Sequence, residues 1–285
     1  MKVAVTGAGG FIGQHVLADL VGRGVETIAV DRSTERLEAW KSRVRIVEMD
    51  IGDTEKEAFE QCGRPDVLIH LAWAGLPNYK SRHHFETELP KQYSFIQRML
   101  TSGLKTLVVT GTCFEYGMQS GSLSESLLPR PANPYGFAKD ALRRQIEFLR
   151  GEYSFAFSWA RLFYLYGEGQ AETSILPLLR RAIEKGEKVF NMSGGEQLRD
   201  YLPITKVAQF LCDLAVRGSN AGLVNICSGE PISVRRLVEN AMKEHNWEIR
   251  LNLGYYPYPD YEPMAFWGDP SHLLETLGKN PRIVT

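Results

Sequence analysis

The stretch from Lys2 to Gly13 narrows the choice of fold more than any other part of this chain. "KVAVTGAGGFIG" is an apolar strand-like run, then glycines at Gly7, Gly10 and Gly13, then the opening of a helical pattern, "GFIGQHVLADLVGRG". Glycine is needed where a chain turns tightly or where its backbone must approach another group closely. A helix that opens straight after such a turn offers unpaired N–H groups and a partial positive charge at its first turn.

The pattern then repeats. "ETIAVD", "VRIVEMD", "DVLIHLA" and "KTLVVTG" read as buried strands, separated by the helix-like "STERLEAWKSR", "DTEKEAFEQC" and "LPKQYSFIQRMLTSG". Strand–helix alternation is the mark of a parallel sheet wound on both sides, and continuous Val/Ile/Leu runs fit strands covered on both faces. The expected fold class is α/β, a Rossmann-type doubly wound parallel sheet with a smaller C-terminal lobe. After "FSWARLFYLYG" the alternation loosens into a loop (Gly167 to Thr173), two helices ("ILPLLRRAIEKG", "VRRLVENAMKEH") and the aromatic "LGYYPYPDYEPMAFW". The expected division is residues 1–166 plus about 195–220 for the sheet domain. About 167–194 and 221–285 then form an interleaved lobe over the sheet's carboxyl edge, where open α/β sheets bind ligands.

Bulk composition excludes several classes. Lys plus Arg (33) nearly balances Asp plus Glu (34) over 285 residues, so no basic excess argues for nucleic acid. Cys62, Cys113, Cys212 and Cys227 show neither paired nor metal-ligand spacing, and are expected as reduced core residues with no metal site. No apolar run approaches the ~18–20 residues of a membrane span. The first strand begins at Lys2, leaving no room for a signal peptide, so a cytoplasmic protein without membrane partners is expected.

Between a strand and a helix, the G-x-x-G-x-x-G spacing of Gly7, Gly10 and Gly13 suits close approach of a pyrophosphate, with Phe11 and Ile12 at the helix start. Asp31 ends the second strand, where a carboxylate accepts both adenosine ribose hydroxyls and repels a 2′-phosphate, favouring NAD. Arg32 follows at once and would pair with that phosphate instead, so NAD or NADP stays open. Asp50 and Ile51 end the third strand, at the adenine edge and face. Leu71, Ala72 and Ala74 end the fourth, the small alanines letting the cofactor backbone pass, while His70 reads as a packed strand residue.

Thr112 ends the fifth strand. In "NPYGFAKDALRR", Pro134 suits a first helical turn, and Tyr135 and Lys139 lie one turn apart on one face. An ammonium and a helix dipole both favour tyrosinate, drawing a pKa of about 10 toward neutrality. A hydroxyl at Thr112 would hold a carbonyl or alcohol against the phenol. The three residues read as a proton-transfer device.

In this order, Gly7-Gly10-Gly13, Asp31, "HLA", Thr112–Tyr135–Lys139, the "YG" pairs at Tyr116 and Tyr166, "RDY" at Arg199 to Tyr201, and "NICSGEPISV" resemble one family. It is the extended short-chain dehydrogenase/reductases of the NAD-dependent epimerase/dehydratase type, which act on nucleotide sugars. The resemblance spans nearly the whole chain. It implies Thr112 as the catalytic Ser/Thr, Tyr135 as general acid/base, and Lys139 as the lysine that also holds the nicotinamide ribose. NAD or NADP as cofactor, a nucleotide-diphosphate sugar as substrate, and a homodimer through helices spanning roughly 89–101 and 135–150 are implied as well. Arg199 corresponds to an arginine on the sugar nucleotide's diphosphate, although the residues alone also allow an ion pair with Asp200. Tyr255 to Tyr261 either packs within the lobe or borders the base.

Several positions depart from the family. Cys113 and Phe114 stand where its dehydratases carry Asp-Glu, which disfavours dehydration. Tyr164 and Glu88 replace asparagines of the usual pocket, and Thr205-Lys206 replace an acidic pair. "HLAWAGLPNYKSRHHFE" with "GTCFEYG" is most similar to members of the dTDP-4-dehydro-6-deoxyglucose reductase type. The resemblance therefore implies reduction of a sugar nucleotide's C4 ketone with Tyr135 as acid. A 4-epimerase with tightly bound NAD is the alternative. A non-enzymatic dinucleotide sensor is more remote, because it needs neither Tyr135 nor Lys139.

Overall fold

Apolar strand runs alternating with helices close into a seven-stranded, wholly parallel sheet in the computed structural model, which describes residues 1–53 and 57–278. In chain order the strands are β1 (Lys2–Thr6), β2 (Glu26–Asp31), β3 (Arg45–Glu48), β4 (Val67–His70), β5 (Thr106–Thr112), β6 (Gly121–Leu123) and β7 (Ala156–Leu162). There follow β8 (Tyr164–Tyr166), β9 (Val189–Asn191), β10 (Leu198–Pro203), β11 (Gly222–Ile226), β12 (Pro231–Ser233), β13 (Arg250–Asn252) and β14 (Phe266–Gly268). The α-helices are α1 (Phe11–Gly22), α2 (Ala58–Gln61), α3 (Leu89–Thr101), α4 (Pro134–Leu149), α5 (Ile175–Glu184), α6 (Ile204–Val216), α7 (Val234–His245) and α8 (Ser271–Leu277).

The large sheet runs β11-β7-β5-β4-β1-β2-β3. The chain winds outward through β2 and β3, then returns to β4, so the order reverses between β1 and β4. Gly7 and Ala72, just past these two strands, meet at the carboxyl edge. A Cβ at Gly7, whose φ is +69°, would stand 2.9 Å from the Ala72 nitrogen. Only glycine fits there.

Both faces of the sheet are covered, as the continuous apolar strands require. On one side Val3 and Val5 pack with Leu17 and Leu20 of α1, Val207 and Leu211 of α6, and Leu273 and Leu274 of α8. On the other, Ile28, Leu68 and Leu107 meet Phe95 and Met99 of α3 and Leu142 and Ile146 of α4. Each large aliphatic side chain gains about 1.5–3 kcal/mol by leaving water, so these layers fix the edge on which the site is built.

Several elements differ from expectation. "STERLEAWKSR" forms a 3₁₀ segment over Glu35–Trp40; its buried residues, Leu37 and Trp40, are three apart, matching three residues per turn. "DTEKEAFEQC" is helical over Ala58–Gln61, and residues 54–56 lie outside the described residues. The third is a correction to the domain division. Gly222–Ile226, expected in the lobe, is the edge strand of the large sheet, paired in parallel with β7. Val224 and Ile226 are fully buried in the sheet's core, and α8 packs there too. Pairing with β7 recruits this run because burying it in an existing core gains more than a lobe surface offers.

The lobe holds the β12-β10-β8 sheet, the β13-β9 pair, α5 and α7, with a separate core that includes Leu179, Phe190, Val238 and Ile249. Strands β8 and β10, expected in the sheet domain, are a further correction: they pair with each other, and β10 with β12, and not with the large sheet. Residues 279–285 of the expected lobe lie outside the described residues. Among the described residues no helix is long and apolar enough to cross a membrane, and no group of three or more His, Cys, Asp or Glu could hold a metal ion. All four cysteines are buried and free.

Candidate active site

A cleft of about 420 Å³ opens where the strand order reverses. Gly7, Gly10, Asp31, Arg32, Ile51, Leu71, Ala72 and Ala74 line it, as the sequence suggests. Gly13, Phe11, Ile12 and Asp50 are not among its walls. A Cβ at Gly13 would collide with the Gly7 carbonyl, so this glycine serves to seat α1 on the turn. Asp50 is held by Lys91 at 2.8 Å and the Gly52 N–H at 2.8 Å; these keep its carboxyl below the usual range. Phe11 and Ile12 open α1, whose cap Gly10 brings no side-chain acceptor to the first-turn N–H groups.

The Asp31 carboxylate accepts from Gly9 N at 2.8 Å and Arg32 N at 2.7 Å, which fixes it against the glycine turn. An uncapped helix start, glycines whose Cβ atoms would obstruct the turn, and a positioned carboxylate together fit a dinucleotide. Its pyrophosphate suits the start of α1, and its adenosine ribose suits Asp31. Gly9, Met49, Trp73, Glu88, Lys91 and Gln92 also line the cleft. Sequence periodicity marks them as strand-end or helix positions and carries no sign of their shared cavity.

Trp73 lines the cleft, and against its ring stands the proton-transfer group. Lys139 Nζ lies 4.1 Å from the Trp73 ring centroid and 5.9 Å from that of Tyr135, and it donates to Thr110 O at 2.9 Å. Asn133 caps α4 by accepting from Gly136 N at 2.9 Å, with Pro134 in the first turn. A Cβ at Gly136 would come within 2.5 Å of the Phe114 carbonyl. That glycine lets the start of α4 press against the turn after β5, bringing Tyr135 to Thr112. Thr112 Oγ1 accepts from Phe114 N at 3.3 Å and so caps the 3₁₀ turn Cys113–Tyr116.

Tyr135 is enclosed by aromatic rings: His84 at 5.2 Å between centroids, Tyr79 at 5.6 Å, Trp73 at 5.9 Å and Phe114 at 6.4 Å. Its own N–H donates to Tyr79 O at 3.2 Å, tying the loop before α3 to the start of α4. Burial, then the neighbouring Tyr79 and Glu115, push the Tyr135 phenol up, while the Thr112 hydroxyl pulls the other way. Burial pushes Lys139 down to about 7 against the opposing charges of Glu115 and Glu88. The expected drift of the phenol toward neutrality is therefore overturned in this structure. Both groups are desolvated, and desolvation penalises tyrosinate and ammonium alike. The phenol stays protonated at neutral pH.

His70 is a packing residue. Its Nδ1 lies 2.7 Å from Thr6 Oγ1 and its Nε2 2.6 Å from Gln92 Oε1, and burial pushes its pKa down to about 4. Gln92 Nε2 in turn donates to Glu88 Oε2 at 2.9 Å, and Ala74 N donates to the same oxygen at 3.1 Å. Glu88, the departure from asparagine, thus pins the loop that leaves β4.

On the lobe side, Arg199 is 2% exposed and does not pair with Asp200. Its Nη2 meets Glu262 Oε1 at 2.9 Å, and its Nη1 donates to the carbonyls of Leu198 and Met264. The Tyr164 hydroxyl donates to the other oxygen of Glu262. Asp200, one residue along the strand and so on the opposite face, accepts from the N–H groups of Ser228, Gly229 and Gly268. Tyr261 faces Phe114 at 6.0 Å and Tyr79 at 6.2 Å, and Lys80 bridges to Asp260 at 2.9 Å, so this part of the aromatic segment walls the site. Tyr255 and Tyr256 instead pack on each other and remain exposed. Cys113 is buried, its thiol pushed up by desolvation. Glu262 was invisible in the sequence: a single loop carboxylate has no periodicity and no spacing to betray its partner.

A glycine-turned cleft leading to a buried tyrosine–lysine pair beside a threonine is the architecture of a dinucleotide-dependent enzyme that interconverts alcohols and ketones. The chain belongs to the NAD dependent epimerase/dehydratase family, whose profile matches residues 3–227. The dTDP-6-deoxy-L-talose 4-dehydrogenase (NAD(+)) of Aggregatibacter actinomycetemcomitans is 29% identical over 270 residues, covering 94% of this chain and 99% of the relative. The UDP-glucose 4-epimerase of Corynebacterium glutamicum is 27% identical, over 84% of this chain and 79% of the relative. The solved structure of MoeE5 in complex with UDP-glucose and NAD is similar with a TM-score of 0.82 and 28% identity, covering 98% of this chain and 93% of that one. These relatives place the chain among enzymes of the NAD-dependent nucleotide-sugar oxidoreductase and epimerase family.

Proposed function

We propose that this protein interconverts a C4 ketone and a C4 alcohol on a nucleotide-activated 6-deoxyhexose, working as a reductase of a dTDP-4-dehydro-6-deoxyhexose. The observation that carries this reading is the Tyr135 phenol, held protonated by burial beside Thr112 and walled by the rings of Tyr79 and Phe114. A protonated donor is what ketone reduction requires, and an aromatic wall suits a sugar bearing a methyl group. The relative named for oxidising 6-deoxytalose at C4 performs the same hydride step in reverse.

The bound dinucleotide would supply the hydride. Tyr135 would donate its proton to the C4 oxygen as negative charge develops, a contribution typically of ~10²–10⁴ in rate. Thr112 would donate a hydrogen bond to the same oxygen, strengthened by the water-poor surroundings. The Lys139 ammonium would stabilise the tyrosinate left behind. Cys113, Phe114 and Tyr164 would border the sugar, with Arg199 toward its diphosphate. Asp31 favours NAD(H) as the dinucleotide.

A 4-epimerase is the second reading, favoured by the UDP-glucose 4-epimerase relative and compatible with the same three residues. One assay separates the two: dTDP-4-keto-6-deoxyglucose supplied with stoichiometric NADH, then NADPH, while reduced-nicotinamide absorbance and sugar products are followed. Net consumption of one cofactor per sugar is expected. Interconversion of UDP-glucose and UDP-galactose with no consumption on the 4-keto-6-deoxy substrate would overturn the reductase.

We also propose a homodimer through α3 and α4. Phe137 and Phe148 on α4 are 51% and 81% exposed, an apolar face that a second copy of the chain would cover.

A further inference from the structure

Glu115 is fully buried, one residue before Tyr116 in "GTCFEYG", and none of the steps above employs it. Its carboxylate nevertheless gathers donors from two strands. Oε1 accepts from Thr112 N at 2.8 Å and from Trp159 Nε1 at 3.0 Å, and Oε2 accepts from Arg161 Nε at 2.6 Å. Arg161 is also fully buried, its guanidinium 4.4 Å from the Tyr116 ring centroid. The strand end is shaped around this cluster. A Cβ at Gly111 would collide with the Trp159 indole nitrogen and the Glu115 carboxylate. Thr112 and Glu115 close a reciprocal cap: the Thr112 hydroxyl accepts from the turn while the Glu115 carboxylate accepts from Thr112 N. The backbone that aims the Thr112 hydroxyl is thereby fixed from both sides.

The same carboxylate acts on the buried Lys139. Lys139 Nζ donates to Thr110 O, two residues before Thr112 on the strand whose end Glu115 caps, and the charge of Glu115, then that of Glu88, opposes the fall that burial imposes on the ammonium. The charged and titratable groups packed around that ammonium are few. On its own helix the titratable neighbour is Tyr135, whose ring centroid lies 5.9 Å from Nζ, while Asp140, the next residue, is turned to Arg143 at 2.8 Å and Arg144 at 2.8 Å. Glu88 and His84 approach from the π-helical segment His84–Glu88 that leads into α3, and His70 from β4; burial pushes both histidines down. Arg161 comes from β7, and its charge is met by Glu115.

We propose that Glu115 is a positioning residue of the reaction: it fixes Thr112 through the reciprocal cap and supplies the buried negative charge that acts on Lys139, with Arg161 as the counter-ion that makes this anion tolerable in the core. The inference rests on Thr112, Tyr135 and Lys139 acting as proposed above. With Glu115 present, the ammonium form of Lys139 persists to about pH 7, and turnover falls as pH rises through that point. Removing the carboxylate charge disfavours the ammonium, so the falling limb moves to lower pH.

The test is the pH profile of kcat and KM for three variants, each checked for folding by thermal melting. Glu115→Gln keeps an acceptor for Thr112 N and deletes the charge. Glu115→Gln with Arg161→Met also removes the guanidinium that the first change leaves unpaired, and so stays informative if the single variant fails to fold. Glu115→Asp keeps the charge. The expected result is a fall in kcat of ~10-fold or more, a limb displaced to lower pH by at least half a unit in Glu115→Gln and by less, in the same direction, in the double variant, which has also lost a positive charge, with KM for the sugar nucleotide changing less than threefold and a wild-type limb in Glu115→Asp. A folded charge-deleted protein with the wild-type limb, whether or not kcat falls, would overturn the proposal. Failure of the underlying reading is distinguishable: Tyr135→Phe and Lys139→Met would then turn over near-normally.

Discussion

The Lys139 ammonium lies 4.1 Å from the centre of the Trp73 indole ring, closer than the 5.9 Å that separates it from the Tyr135 ring. A cation over an indole face gains about 0.5–2 kcal/mol, the more so when desolvated. Trp73 also lines the cleft proposed for the dinucleotide, so one side chain links that cleft to the proton-transfer group.

That burial makes Lys139 a stability cost with a definite pH dependence. Its pKa is 10.5 in the unfolded chain and about 7 when folded. Between these values the unfolded state binds more protons than the folded state, so the contribution of Lys139 to stability rises as pH climbs from about 7 to 10.5 and is least favourable below 7. Lys139→Met should raise Tm by several degrees at pH 6 and by progressively less toward pH 10, while abolishing turnover. Thermal melts at both pH values check this; an equal change at each would refute it.

Tyr135→Phe keeps the ring inside its aromatic enclosure and removes only the proton donor. Turnover should fall by ~10²–10⁴ with Tm changed by no more than a few degrees. Steady-state kinetics beside a melting curve decides this, and near-normal turnover would return "NPYGFAKDALRR" to an ordinary helix start.

Asp31 should set the choice of dinucleotide. Its carboxylate is fixed by Gly9 N and Arg32 N at the mouth of the cleft, where it repels a 2′-phosphate. NAD(H) should bind at least as tightly as NADP(H), and Asp31→Ala should narrow the gap. Titration of both cofactors measures it, and a strong preference of the wild type for NADPH would show Arg32 to be dominant.

Glu262 occupies the guanidinium of Arg199 and also accepts from Tyr164. If Arg199 receives a diphosphate, this carboxylate is a like charge in its path. Glu262→Gln should tighten dTDP binding by roughly tenfold, of order 1.4 kcal/mol. Calorimetric titration with dTDP tests it; unchanged or weaker binding would remove Arg199 from the diphosphate site.

The exposed Phe148 provides the test of assembly. Phe148→Glu should shift sedimentation toward the monomer, whereas a wild-type protein that is monomeric at every concentration would reject the α3/α4 interface.

What the sequence determined by itself follows from local periodicity and short spacings. Apolar strands alternating with amphipathic helices require a parallel sheet covered on both faces, and Gly7, Asp31, Ala72 and Thr112 follow because each sits at or just past the end of a strand. Tyr135 and Lys139 share a face because a helical turn places residues four apart together. The tertiary structure decided what depends on groups far apart in the chain. It carried Gly222–Ile226 into the large sheet, because Val224 and Ile226 find a core already built by β7. It joined Glu262 to Arg199 and Tyr164, and Glu115 to Arg161, pairings that only chain crossing brings about. It also reversed the expected protonation of Tyr135, because helix position speaks for the dipole and the neighbouring ammonium but not for desolvation, which is set by how many rings close around the phenol.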